Sequence, residues 1–138
     1  MVDRDLILAK AGSINRHCKR IADKSAVDVK AFEDDLDRQE SVLFNLQMAI
    51  QNCIDIAAHI VSEEGYGIPG SANEMFYLLE ENNILERALT EKMVSAVGLR
   101  NLIVHEYGKV DLEKVYRVAK NDISDLTAFI KSILQTVG

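Results

Sequence analysis

Tryptophan is missing from this chain of 138 residues, proline occurs once, and phenylalanine with tyrosine make up only 6% of it. A core must therefore be built from aliphatic side chains, and long helices meet almost no proline to interrupt them. Two cysteines, Cys18 and Cys53, are too few and too far apart for a disulfide framework or a cysteine-rich metal site, so reduced thiols in a core are expected. No apolar run approaches the ~18 residues of a membrane span. The opening Met1-Val2-Asp3-Arg4-Asp5 alternates charge where a signal peptide would have a basic flank and an apolar stretch, which places the protein in the cytoplasm. Basic residues are also in deficit. A net charge of −6 excludes a broad, non-specific polyanion binder, because such affinity comes from many Lys/Arg–phosphate contacts; any nucleic acid must be gripped locally.

What is present is helical periodicity. Hydrophobic residues are 48% of the chain, and its length suits one domain, residues 1–138. Leu6, Ile7, Ile14, Cys18 and Ile21 recur at intervals of three, four and seven, which predicts a helix over Asp3–Asp23. A longer stripe through Phe32, Leu36, Leu43, Leu46, Ile50, Cys53, Ala57 and Val61 predicts one helix of roughly 50 Å at ~1.5 Å per residue, with Glu33-Asp34-Asp35-Leu36-Asp37 as an acidic N-terminus favoured by the helix dipole. Gly65–Gly70 is the main loop. Ser71 and Glu74 form a capping box for a short helix through Met75, Leu78 and Leu79 that ends at Asn82-Asn83. A fourth helix runs from near Leu85 past Leu89, Met93 and Val97, with Gly108 placed as its left-handed cap. Asp111 caps a fifth, carrying Leu112, Val115, Ala119, Ile123, Leu126, Ile130 and Ile133. No period-two pattern appears, so the expected fold is all-α, an antiparallel four-to-five-helix bundle.

The chemistry concentrates in Arg100-Asn101-Leu102-Ile103-Val104-His105-Glu106-Tyr107. Arginine offers a planar fork of donors matched to phosphoryl oxygens, and histidine exchanges a proton near neutral pH. At about 100° per residue Asn101 and His105 share one helix face, whereas Arg100 points about 140° from His105 and must reach around. Tyr107 would face away on a continuing helix, unless the chain unwinds near Gly108. Taken alone, an arginine at position 100 is more often a surface charge, and a histidine at 105 a last-turn residue offsetting the dipole.

The segment resembles the Arg-x4-His-x-Tyr motif of the HepT-like toxins, a family of the HEPN superfamily of small helical ribonucleases and nucleotide-binding domains. The likeness extends through Asp55-Ile56-Ala57-Ala58-His59-Ile60, Pro69 and Glu74-Met75-Phe76-Tyr77-Leu78-Leu79. It implies a HEPN-type bundle acting as a homodimer, and a metal-independent endoribonuclease whose motifs face each other across a cleft. It further implies a cognate minimal nucleotidyltransferase as antitoxin, which adenylylates the motif tyrosine, here Tyr107. Carried onto this chain, Arg100 and His105 are the expected catalytic pair and Asn101 orients them. No cofactor or metal is implied. The alternative within the same superfamily is a non-catalytic nucleotide-binding or docking partner of a nucleotidyltransferase.

Three further features carry weaker expectations. Asp55 is a candidate to orient a motif residue from across the bundle. Asp55, His59 and Glu63 form a stripe at four-residue spacing, but no histidine has a glutamate three residues before it, so the Glu-x-x-His pairs of carboxylate-bridged metal bundles are missing. Finally, Lys10, Arg16, His17, Lys19, Arg20 and Lys24 make the first helix locally basic, as a solvated face or as a guide for RNA.

Overall fold

The computed structural model describes residues 1–137 and contains, among them, seven α-helices and no strand. They are α1 (Arg4–Lys24), α2 (Val29–Glu33), α3 (Leu36–Glu63), α4 (Ala72–Glu81), α5 (Arg87–His105), α6 (Leu112–Asn121) and α7 (Ile123–Val137), with a 3₁₀ turn at Tyr107–Lys109. Most N-terminal ends are capped by side chains that accept orphan amide hydrogens. Asp3 caps α1 through the Leu6 amide, Asp28 caps α2 through Ala31, and Asp111 caps α6 through Glu113 and Lys114. At α4 Ser71 accepts from the Glu74 amide as expected, but the Glu74 carboxylate takes the amide of Gly70 rather than that of Ser71. Asn83, at φ 63°, provides the left-handed residue after α4, a conformation asparagine tolerates.

Two helices expected to be continuous are each broken, which turns five into seven. The long stripe from Phe32 splits at Asp34-Asp35: Asp35 leaves the helical region (φ −122°, ψ 97°), and its carboxylate caps α3 through the Arg38 amide. The break is clasped by Gln39, buried, whose Nε2 donates to the carbonyls of Phe32 and Glu33, both at 2.9 Å. Removing that amide leaves the Glu33 carbonyl without a partner, while the Phe32 carbonyl keeps the Asp35 amide at 3.3 Å; an unsatisfied group at a buried site costs ~1–3 kcal/mol. Gln39→Ala is therefore expected to lower the unfolding free energy by that amount, read as a lower urea midpoint at unchanged m-value; a midpoint equal to the parent's would show that the clasp is dispensable. The last helix breaks at Asp122, whose amide still bonds to the Val118 carbonyl while its own carbonyl accepts from Asp125.

Both breaks serve the packing. α1 lies along α3, and the α1, α3, α4, α5 and α7 stripes close on a cluster that includes Ile14, Ile56, Ile60, Phe76, Met93 and Phe129. A second cluster, at the other end of α3, gathers Ile21, Phe32, Val42, Leu43, Leu46, Leu99, Ile103, Val115 and Ala119. α2 and α6 belong to this second cluster, α7 to the first, and Ile123 touches both. A straight α6–α7 rod would serve only one of them. Cys18 and Cys53 are free thiols within the first cluster; burial pushes Cys18 up to about 11 and Cys53 well above the ordinary thiol value, so both stay protonated and unreactive near neutrality. No helix among the described residues is long and apolar enough to cross a membrane.

Candidate active site

The C-terminal half of α5 is anchored by Leu99 and Ile103, buried in the second cluster. Those two positions, four apart, fix the rotation of the helix. They leave Asn101 and His105 exposed on one side, with Arg100 partly buried between the two faces. The reach that the helical angles demand of Arg100 is made: its Nη1 donates to Asn101 Oδ1 at 3.1 Å, so the guanidinium bends toward the face that carries His105. Its Nε is buried and has no acceptor. No hydrogen bond joins Arg100 to His105 among the described residues. The hydrogen bond to Asn101 turns the guanidinium toward the side of α5 that Asn101 shares with His105.

The helix ends at His105, not at Gly108. Glu106 adopts φ −139°, ψ 49°, its amide closing the last turn on the Leu102 carbonyl. Gly108 is not left-handed; positive φ among the described glycines is confined to Gly65 and Gly67. It sits instead inside the 3₁₀ turn, where Lys109 and Val110 donate to the carbonyls of Glu106 and Tyr107 at 2.8 and 3.2 Å. The unwinding expected near Gly108 therefore takes place two residues earlier, at Glu106, because a 3₁₀ turn followed by the Asp111 cap needs no glycine cap. The Glu106 carboxylate also holds Lys109 Nζ at 3.2 Å. Tyr107 emerges 54% exposed with no hydrogen-bond partner on its phenol among the described residues, a position open to a modifying enzyme.

Asp55 has other partners than those expected. Its two oxygens accept from Lys10 Nζ at 3.0 Å and from Gln51 Nε2 at 2.9 Å, and no hydrogen bond or ion pair ties it to Arg100, Asn101, His105 or Tyr107. It lies nine residues beyond Leu46, the α3 residue packed with Leu99 and Ile103, which is roughly 13 Å along the helix at ~1.5 Å per residue. Within one chain Asp55 joins α1 to α3. The rest of its stripe is likewise engaged: His59 Nε2 accepts the Asp3 amide at 2.9 Å, and Glu63 holds the Met1 amino group at 2.7 Å. No group of three or more His, Cys, Asp or Glu is placed to hold a metal among the described residues. The role of Asn101 as acceptor for Arg100 was only half visible in the sequence, since neighbouring helix positions do not normally face each other.

Comparison with known proteins places this geometry. Residues 14–133 match the family model described as Ribonuclease HepT-like. The chain is 38% identical over 129 residues to the mRNA nuclease HepT of Shewanella oneidensis, covering 94% of this chain and 96% of that protein. A crystal structure of a toxin–antitoxin with AMP-PNP superimposes with a TM-score of 0.90 at 36% identity, covering 96% of this chain and 99% of the other. A tri-AMPylated Shewanella oneidensis HEPN toxin in complex with its MNT antitoxin gives 0.89 at 37%, with the same coverage. An all-helical bundle with an arginine turned onto the face of a nearby histidine, matched over almost its whole length by these proteins, belongs to the HepT-like ribonuclease family.

Proposed function

We propose that the protein is a metal-independent endoribonuclease, the toxin of a toxin–antitoxin pair, acting as a homodimer and silenced by a minimal nucleotidyltransferase that adenylylates Tyr107. The observation that carries the reading is the Arg100–Asn101 hydrogen bond, which holds a permanent cation toward the exposed side of α5 where His105 lies. RNA brings its own nucleophile. His105 takes the proton of a 2′-hydroxyl as that oxygen attacks the adjacent phosphorus; the P–O5′ bond breaks, and the leaving 5′-oxygen is protonated by the second motif of the dimer. The products are a 2′,3′-cyclic phosphate and a 5′-hydroxyl. Arg100 stabilises the charge that builds on the phosphorane oxygens, the kind of preorganised electrostatic help that dominates many enzymes.

Adenylylation would act on the same site. A nucleotide phosphate on the exposed Tyr107 adds negative charge and bulk two residues from His105, and competes with RNA for the Arg100 donors. The reading assigns the protein to the cytoplasm, where its substrate is. Purified protein in EDTA is expected to cut RNA and leave cyclic phosphate ends. After co-expression with the nucleotidyltransferase, intact mass should rise by whole AMP units, cutting should stop, and Tyr107→Phe should lose the increment at that position. A protein that binds the transferase tightly and never cuts RNA would instead be the docking partner, and the catalytic reading would fall.

A further inference from the structure

The C-terminal half of α1 carries Arg16, Lys19, Arg20 and Lys24, all exposed. None of the four makes an ion pair among the described residues, and all four fall within nine positions of one helix. In a chain of net charge −6 this is a concentration of uncompensated positive charge. Arg20 and Lys24 follow His17 by three and seven residues and so share its side of α1. His17 is held by Asn45, with Nδ1 2.7 Å from Oδ1, and its ring meets that of Phe44 edge-on at 6.4 Å and 75°. Phe44 is 57% exposed. An aromatic ring left in water beside unpaired cations is what a flexible polyanion with flat bases requires: a stacking surface and charges spaced along a backbone. Asp23 and Glu40, also exposed, lie on the same strip, three residues after Arg20 and four before Phe44, and keep its positive field local.

The position of this face relative to the motif is set by shared packing. Arg20 precedes Ile21, Phe44 follows Leu43, and Arg100 follows Leu99; Ile21, Leu43 and Leu99 meet in the second cluster. Face and motif therefore flank the same end of the bundle. We propose that it is a track for single-stranded RNA, in which Arg20 and Lys24 hold backbone phosphates, Phe44 stacks a base, and the strand continues to Arg100 and His105. This rests on the ribonuclease reading above and adds where the substrate lies outside the cutting site. It answers the problem an acidic protein poses for RNA binding by confining the contacts to one strip.

The test is fluorescence anisotropy of the full-length protein with a labelled single-stranded RNA of roughly 12 nucleotides, within known site sizes, in a His105→Ala background that cannot cut. Salt is varied and size-exclusion elution recorded for every variant. Arg20→Gln with Lys24→Gln is expected to weaken binding about tenfold or more at low salt, and to reduce the slope of log affinity against log salt by about 1.4, at ~0.7 per phosphate on a single strand. Phe44→Ala is expected to weaken binding roughly 5- to 100-fold with the salt slope unchanged, and Phe44→Tyr to restore it. The distant Lys131→Gln should match the parent. Parent-like affinity and slope in the Arg20/Lys24 double variant would overturn the track while leaving the cutting site intact. So would a Phe44→Ala protein that loses affinity only because its oligomer falls apart. A parent that neither binds nor cuts RNA would remove the ribonuclease reading and the track together.

Discussion

Replacing His105 with alanine is expected to lower the rate of RNA cleavage by ~10²–10⁴, the usual worth of a general acid or base, and Arg100→Ala by ~10²–10³, the worth of one preorganised charge donor. Neither change should unfold the protein. His105 is exposed at the last residue of α5, and its ring makes no hydrogen bond among the described residues. Arg100 contributes a single hydrogen bond, to Asn101, and carries a buried Nε without an acceptor, so its removal takes away an unsatisfied donor along with a contact. Surface changes of this kind usually stay within about 0.5 kcal/mol. Arg100→Lys should recover little, because a lysine keeps the charge but loses the fork that bonds to Asn101 and phosphate at once. The double variant should be scarcely worse than the worse single one if both groups act in the same step. Initial rates on a defined RNA in EDTA, with circular dichroism of each variant, decide the matter: a near-parental rate for either alanine variant removes that residue from the chemistry. Asn101→Ala, which frees the guanidinium to leave the His105 side, belongs between parent and Arg100→Ala.

The largest loss of stability is expected from Phe76→Ala. Phe76 on α4 and Phe129 on α7 are both fully buried, with ring centroids 5.6 Å apart and planes at 67°, an edge-to-face pair that locks two helices from distant parts of the chain into the first cluster. Truncating a buried phenylalanine costs ~3–5 kcal/mol, the lost transfer energy plus the cavity left behind. That is a large part of the ~5–15 kcal/mol available to a domain. At ~4 °C per kcal/mol for a protein between the small and mid-sized ranges, Tm should fall by about 10–20 °C. Phe44→Ala provides the contrast. Its ring is more than half in water, so its truncation should cost no more than about 1 kcal/mol. Equal losses for the two phenylalanines in thermal melts would contradict the division between a packed aromatic pair and a surface ring.

The motif was legible because its residues are local. Arg100, Asn101, His105 and Tyr107 fall within eight positions, and helix geometry alone states that Asn101 and His105 share a side and that Arg100 must bend to join them. The caps at Ser71 and Asp111 were equally readable, in part or in full, since a side chain that takes an amide two or three residues away needs nothing from the rest of the fold. Asp55 was misplaced for the opposite reason: which of several cations and amides a carboxylate on a long helix meets depends on how the neighbouring helix is rotated, and here α1 presents Lys10.

By itself, then, the sequence determined the all-helical class, the stripes each helix buries and the short run that carries the chemistry, because these depend on periodicity and on contacts a few residues apart. The tertiary structure decided where the stripes break. Nothing in the periodicity at Asp34-Asp35 or Asp122 forbids a continuous helix. The chain turns there because Phe32 packs on Tyr116 at 5.4 Å, the Tyr116 hydroxyl donates to the Val27 carbonyl, and α6 and α7 must fill two separate clusters. Those contacts join residues some ninety positions apart, and a local pattern holds no information about them until the bundle closes.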